Sequence, residues 1–446
     1  MYLFLTAYLL LAIPSAAAVL RQKQTPVVAI AWLLAIVLLP IGGSLFYLLA
    51  GYRKPVRDVP PTDSRPAAGI ERMLWYGCST RVRYRNRVEQ LHDGGEAFAA
   101  LISALQGARR YIHLSYYIFA DDRIGHAIAD ILVRKARAGV EVRLLYDAIG
   151  SWKLSERFVR RLRGAGIEVR AYAPLRFPWF SPRANRRNHS KIAVIDGCVG
   201  FLGGMNIADR YVRGTRWGTW RDTHFRIEGS GAAGLQASFL SDWSATTKQQ
   251  IAAAEYYPPA ARFTDNIMQI VSSGPFGKWR TLLQADSYAI ARARRRVWIQ
   301  TPYYLPSDVL NSALQEAALA GIDVRLMLPA RSDSKVVDLA THSYLDDMMK
   351  AGVKILFYMP GFLHSKLLII DDMLSVIGSA NMDFRSFEHN FEVNAFVYDG
   401  EFTARMASVF EEDQSRSHPL TPAEWFRRPR SRRVAESLMR VFSPLL

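Results

Sequence analysis

The chain has 446 residues, more than one hydrophobic core usually holds, so two domains or one duplicated domain are expected. Lys and Arg number 57 against 40 Asp and Glu, and the net charge of +17 suits an anionic partner, either nucleic acid or an acidic lipid surface. The only two cysteines, Cys78 and Cys198, are far apart and outside any paired ligand spacing, which argues against a disulfide framework or a cysteine-ligated zinc site.

From Met1 to Leu20, and again from Gln24 to Tyr52, no side chain is charged. At 1.5 Å rise, roughly 20 helical residues span a ~30 Å hydrocarbon layer, so both runs are expected to cross a bilayer, with Pro14 and Pro40 as tolerated kinks. Ala16 to Ala18 would also suit a signal-peptide cleavage site, but there is no basic n-region and a second apolar run follows at once. The short connector Arg21-Gln22-Lys23-Gln24-Thr25 makes residues 1–54 a transmembrane hairpin. Arg53, Lys54, Arg57 and Arg65 outnumber Arg21 and Lys23, a bias that places the body in the cytoplasm. Residues 55–85 read as a linker, Pro-rich at its start.

Two stretches, 86–258 and 259–420, read as one α/β unit written twice. Tyr111 to Tyr116, a helical stretch and then Ala138-Gly139-Val140-Glu141-Val142 are echoed by Val297 to Thr301, a helical stretch and Ala320-Gly321-Ile322-Asp323-Val324. Ala165-Gly166-Ile167-Glu168-Val169 recurs as Ala351-Gly352-Val353-Lys354-Ile355. A helix, an Ala-Gly stop and a β-branched run signal helices alternating with buried parallel strands, and the common order points to duplication.

The next element carries chemistry. His189-Ser190-Lys191 through Asp196 is echoed by His364-Ser365-Lys366 through Asp371 at identical spacing. Residues two apart on a strand share a face, so each copy sends one imidazole and one ammonium into the same pocket. Asp196 and Asp371 count with the catalytic set, although their place after an apolar strand suits a turn cap better. After each Asp, with six residues between, stand Gly203-Gly204-Met205-Asn206 and Gly378-Ser379-Ala380-Asn381. Asn206, Asn381 and Ser379 are candidate phosphate-binding residues there, because small neighbours let the backbone approach an anion.

The first copy alone carries the insertion Pro174 to Asn188, in which Arg176, Arg183, Arg186 and Arg187 interleave with Phe177, Trp179 and Phe180, a composition suited to a headgroup interface. The C-terminal segment 421–446 holds Arg427, Arg428, Arg430, Arg432 and Arg433, then Val434, Leu438 and Val441 at helical spacing. That stripe is expected to pack on the body, with a place on the membrane surface as the alternative.

These residues resemble the phospholipase D superfamily and, within it, the bacterial cardiolipin synthases. The resemblance rests on the doubled motif, the apolar hairpin, Leu91-His92-Asp93-Gly94, Thr301-Pro302-Tyr303-Tyr304-Leu305-Pro306, Arg385-Ser386-Phe387, Asn390-Phe391-Glu392 and Pro444-Leu445-Leu446. It implies two tandem phospholipase D-like α/β sandwich repeats sharing one active site, a phosphohistidine intermediate, and transfer of a phosphatidyl group between two phosphatidylglycerol molecules with release of glycerol. It also implies His189 as nucleophile, His364 as general acid, and Asp222 and Glu392 as orienting carboxylates. Their places after the motifs suggest each on the histidine of its own copy, and the longer reach of Glu392 suits it to hold His364 as an imidazolium, leaving His189 neutral before attack.

No metal or other cofactor is expected, since no metal-ligand or P-loop pattern is visible. The implied partners are the membrane and its anionic phospholipids, in a bacterial inner membrane crossed more than once. The same chemistry with water as acceptor would make a lipid hydrolase, and with a nucleic acid a phosphodiesterase. The anchor disfavours the nucleic acid, and two intact motifs disfavour a binding-only scaffold. Oligomeric state is left open.

Overall fold

The computed structural model describes residues 2–22, 26–39, 41–48, 69–174, 185–215, 218–249, 251, 254–263, 266–277 and 279–443. The chain divides into two compact units, Met1–Val59 with Ala173–Arg186, and Pro60–Tyr172 with Arg187–Leu446.

In the first unit the helices Tyr2–Arg21 and Pro26–Leu38 share a small core of Ala12, Val19, Ile36 and Tyr47, with Trp32 against the Phe46 and Tyr47 rings. Pro14 lies within the first helix. The second helix stops at Leu38 instead of running on toward Tyr52, and a short helix, Gly42–Phe46, begins after Ile41 at φ 64°. A proline at position 40 disfavours helical backbone just before it and offers no N–H to the preceding turn. Among the described residues no helix is long and apolar enough to cross a membrane.

The body is built from a sequence of strands that repeats itself. The first copy contributes β1 (Arg83–Leu91), β2 (Tyr111–Tyr116), β3 (Glu141–Asp147), β4 (Glu168–Tyr172), β5 (Lys191–Ile195), β6 (Val199–Gly203), β7 (Thr219–Arg221) and β8 (His224–Gly229). The second contributes β9 (Asn266–Ser273), β10 (Arg296–Gln300), β11 (Tyr304–Leu305), β12 (Asp323–Pro329), β13 (Lys354–Tyr358), β14 (Gly361–Leu363), β15 (Leu367–Ile370), β16 (Leu374–Gly378), β17 (Met382–Asp383), β18 (Glu392–Tyr398) and β19 (Ser417–Pro419). One 15-stranded sheet runs β19-β13-β12-β10-β15-β16-β18-β9-β1-β8-β6-β5-β2-β3-β4. Apart from β19, its halves mirror each other about the β9–β1 pair.

The parallel sheet read from the sequence is only partly present. β2, β3 and β4 are parallel, as are β10, β12 and β13, because helices such as Arg123–Arg137 carry the chain back between them. Those crossover helices end on the expected Ala-Gly pairs, with Gly139 and Gly321 at φ 89° and 88°. The motif strands β5 and β15 instead pair antiparallel with β2 and β10, and with β6 and β16 across a tight turn that leaves no room for a crossover. A core shared by both copies joins Ile192, Val194 and Phe225 to Leu367, Ile369 and Val393. The two motif strands are thereby held in one body.

Candidate active site

Each motif strand begins at the site and ends away from it. Lys191 and Lys366 are buried, with ammonium groups that donate to the carbonyls of His189 (2.5 Å) and His364. At the other end Asp196 and Asp371 take the left-handed conformation, φ 52° in both. Asp196 accepts the backbone N–H groups of Arg109, Arg110 and Tyr111 at 2.8, 2.8 and 2.9 Å. Asp371 does the same for Arg294, Arg295 and Arg296. Seven residues at ~3.3 Å each put them roughly 20 Å from the histidines along an extended strand. The placement of these two aspartates in the catalytic set is therefore corrected: they tie the motif turn to the start of β2 and β10, the capping role their position after an apolar run suggested.

Two short parallel pairings bring the copies together. Leu363 of β14 lies opposite Arg221 of β7, and the His364 N–H donates to the Arg221 carbonyl at 2.7 Å. Asn188 bridges Phe391, and the His189 N–H donates to the Phe391 carbonyl at 2.9 Å. One residue further along, each histidine meets the carboxylate of the opposite copy. His189 Nδ1 lies 3.0 and 3.1 Å from the two Glu392 oxygens, and His364 Nδ1 lies 2.7 Å from Asp222 Oδ2. This overturns the pairing within each copy, because strand register between the copies decides which carboxylate is near. No feature of the sequence separates the two pairings, since the carboxylates follow the motifs at comparable distances.

The carboxylates are fixed in turn. Ser379, read as a phosphate ligand, donates its hydroxyl to Glu392 Oε2 at 2.5 Å and accepts the Val393 N–H at 3.0 Å. It holds the carboxylate, and so does Asn390, whose amide donates to Glu392 Oε1 at 3.2 Å. The equivalent position in the first copy is Gly204, where an added Cβ would lie 2.2 Å from Asp222 Oδ1. Asn206 accepts the Ile118 N–H and donates to the Tyr211 hydroxyl, and Asn381 donates to Asp383. Each amide nitrogen keeps a second hydrogen for a ligand.

Burial dominates the electrostatics. It pulls Lys191 down to about 7 and Lys366 to about 8, against the pull of Glu392 and Asp222. His189 is lowered to about 4 by burial despite Glu392, and His364 falls well below its ordinary value by burial and by both lysines. The two carboxylates diverge. Burial raises Asp222 to about 6, whereas at Glu392 the opposing pull of His189, Lys191 and the Ser379 hydroxyl outweighs burial and holds it below the ordinary carboxylate range. The site thus crowds cationic groups that a bound phosphodiester would neutralise.

Both histidines and both asparagines line a cavity of about 350 Å³. Its wall also carries Tyr117, Arg210, Tyr211, Trp220, Tyr303, Asp333 and Arg385, most of which the motifs do not announce; Arg385 was visible only within the Arg-Ser-Phe signature. Arg187, expected at a lipid-facing loop, is buried against Asp147 at 3.3 Å. Arg176, Phe177, Trp179, Phe180 and Arg183 lie outside the described residues.

The family described as "Cardiolipin synthase, PLD-like domain" matches residues 101–230 and 288–414, and one described as "Phospholipase_D-nuclease N-terminal" matches 10–51. Cardiolipin synthase 2 of Bacillus cereus is 44% identical over 368 residues, covering 82% of this chain and 72% of the relative. Cardiolipin synthase of Geobacillus thermodenitrificans is 40% identical over 452 residues, 95% of this chain and 90% of the relative. Major cardiolipin synthase ClsA of Bacillus subtilis is 35% identical, with 96% and 95% covered. Among solved structures, phosphatidylserine synthase of Haemophilus influenzae superposes with a TM-score of 0.59 at 13% identity over 80% of this chain and 93% of that one, a likeness of fold.

Proposed function

The chain belongs to the phospholipase D-like cardiolipin synthase family, and from that premise we propose that its cavity joins two phosphatidylglycerol molecules into cardiolipin with release of glycerol. It is a phosphatidyltransferase. The observation that carries the mechanism is the crosswise pairing of two motif histidines with two carboxylates around one cavity.

With Nδ1 held by Glu392, His189 presents Nε2 to the phosphorus of the donor lipid. A P–N bond forms, the P–O bond to the glycerol headgroup breaks, and His364 gives its proton to the departing oxygen. A glycerol hydroxyl of the second phosphatidylglycerol then returns a proton to His364 and attacks phosphorus, breaking the P–N bond. Lys191, Lys366, Asn206 and Asn381 offset the charge on the phosphoryl oxygens. The expected reason for this division, Glu392 supporting His364, is gone, but the electrostatics supply another. The Asp222–His364 pair holds a proton more readily, because burial raises Asp222, than the Glu392–His189 pair, where Glu392 lies below its ordinary range and burial lowers His189. The acid is the pair that keeps its proton longer. Glu392, held ionised, supports the tautomer a nucleophile needs.

The finer reading of the N-terminal region is a hairpin inserted in the bacterial inner membrane with the body on the cytoplasmic side, supported by the uncharged runs and by the match of residues 10–51. The test of function is incubation of the full chain with phosphatidylglycerol in mixed micelles, followed by mass analysis. Cardiolipin with free glycerol is the expected outcome, and phosphatidic acid alone would replace the transferase with a hydrolase.

A further inference from the structure

The helix Arg430–Phe442 faces the wrong way for one whose task is to pack on the body. Its apolar side chains point outward: Val434 is 69% exposed, Leu438 56%, Val441 72% and Phe442 44%. The side turned toward the Lys335–Lys350 helix is mostly charged. Arg432 bonds His342 at 3.1 Å and Glu436 at 3.2 Å, Arg428 just before the helix bonds Asp346 at 3.0 Å and Glu436 at 2.7 Å, and Arg440 reaches Asp347 at 3.4 Å. Met439 is the one larger side chain of the helix packed on the neighbouring core. This reverses the usual surface helix, in which the apolar stripe faces inward, and it corrects the expectation that Val434, Leu438 and Val441 pack on the body.

We propose that this outward face is a docking surface for an anionic lipid bilayer. Arg427, Arg430 and Arg433 are exposed at its N-terminal end, and the helix has a single carboxylate, Glu436, which is buried on the other side. Exposed basic residues beside an apolar stripe match a surface of anionic headgroups over acyl chains. A second copy is a poorer occupant, because the helix offers these arginines no exposed carboxylate. Docking also has a consequence for the site. The Lys335–Lys350 helix that receives these ion pairs starts at the cavity, where Ser334 and Val337 form part of the wall. A bilayer-seated terminal helix is thereby joined to that wall through the Lys335–Lys350 helix. The proposal rests on the functional reading only in that the substrate pool is an anionic bilayer.

The full chain, with Cys78→Ser, Cys198→Ser and Leu438→Cys, is labelled with an environment-sensitive fluorophore and placed in vesicles of phosphatidylglycerol and phosphatidylcholine containing spin-labelled acyl chains. Quenching by the acyl spin label is expected, with its loss in Val434→Glu and a decrease in Arg430→Gln with Arg433→Gln. Absence of quenching in phosphatidylglycerol vesicles overturns the proposal, as does self-quenching that ignores the spin-labelled lipid, the mark of a second copy. Quenching needs no turnover and is expected to persist with His364→Ala. A chain that quenches without making cardiolipin sinks the functional reading alone, and one that makes cardiolipin without quenching sinks the docking alone.

Discussion

Glu392 and Asp222 differ by one methylene and by much more in environment. Glu392 is bonded by Ser379 and Asn390, whereas Asp222 takes the Thr223 N–H at 2.8 Å and lies beside Lys366. Replacing Glu392 by Gln keeps the shape and removes the charge that selects the His189 tautomer, so kcat should fall on the order of 10³- to 10⁴-fold. In nitrogen NMR that substitution should move the His189 Nδ1 resonance and leave His364 alone, with Asp222→Asn doing the converse; the opposite pattern would restore pairing within each copy. The lysines set a pH dependence of opposite sign in rate and stability. Both ammonium groups are needed as cations, so kcat/KM for the empty enzyme should fall as pH rises through about 7 to about 8. The folded values lie below the ordinary lysine range, so above pH 7 the unfolded chain binds more protons and stability should rise toward pH 10. Comparing the pH dependence of Tm in wild type and Lys191→Met isolates one of these contributions, and a wild-type-minus-mutant Tm that falls as pH rises would contradict it.

Two strand connections make one site of two copies. β14 lies so close to β7 that a Cβ on Gly361 would sit 2.0 Å from the Thr219 carbonyl oxygen. Gly361→Ala should push β14 off β7 and draw His364 away from Asp222; a displacement of ~1 Å at that point costs about 10²-fold in kcat. Wild-type turnover in a folded Gly361→Ala protein would show that the β7–β14 contact does not position the acid. The motif turns predict the reverse pattern. Asp196→Asn keeps a residue that tolerates φ 52° but loses the charge that gathers three N–H groups, so it should cost roughly 2 kcal/mol of stability. Turnover per folded molecule should be unchanged, and a fall in it would return Asp196 to the chemistry.

At the scale of the molecule, both histidines and both carboxylates belong to one chain, and each carboxylate serves the other repeat. His189→Ala and His364→Ala should each lower turnover by far more than tenfold, which is ~1.4 kcal/mol of barrier. Their effects should not add, since the two groups act in one cycle. Mixing the two variants should restore nothing. Recovered activity in the mixture would mean that repeats exchange between chains.

Read alone, the sequence showed the duplication and the family resemblance, and it pointed to the histidines and lysines on which the proposed chemistry rests. A motif of His, Lys, Asp and Asn repeated at one spacing is local information, and strand periodicity places His189 with Lys191, and His364 with Lys366, without knowledge of the fold. Tertiary structure alone decided how the copies meet. The register of β7 against β14, and of Asn188 against Phe391, exchanges the carboxylates between histidines, and that of β16 against β18 sets Ser379 on Glu392 instead of on a phosphate. It also settled which face of the Arg430–Phe442 helix is covered, since ion pairs with Asp346 and Asp347 and a hydrogen bond to His342 hold the charged face inward and leave the apolar stripe outside. The physical reason is common to all three. Contacts between residues from 13 positions apart (Ser379–Glu392) to 203 (His189–Glu392) depend on how separate strands and helices register, and the spacing of residues along one strand carries no record of it.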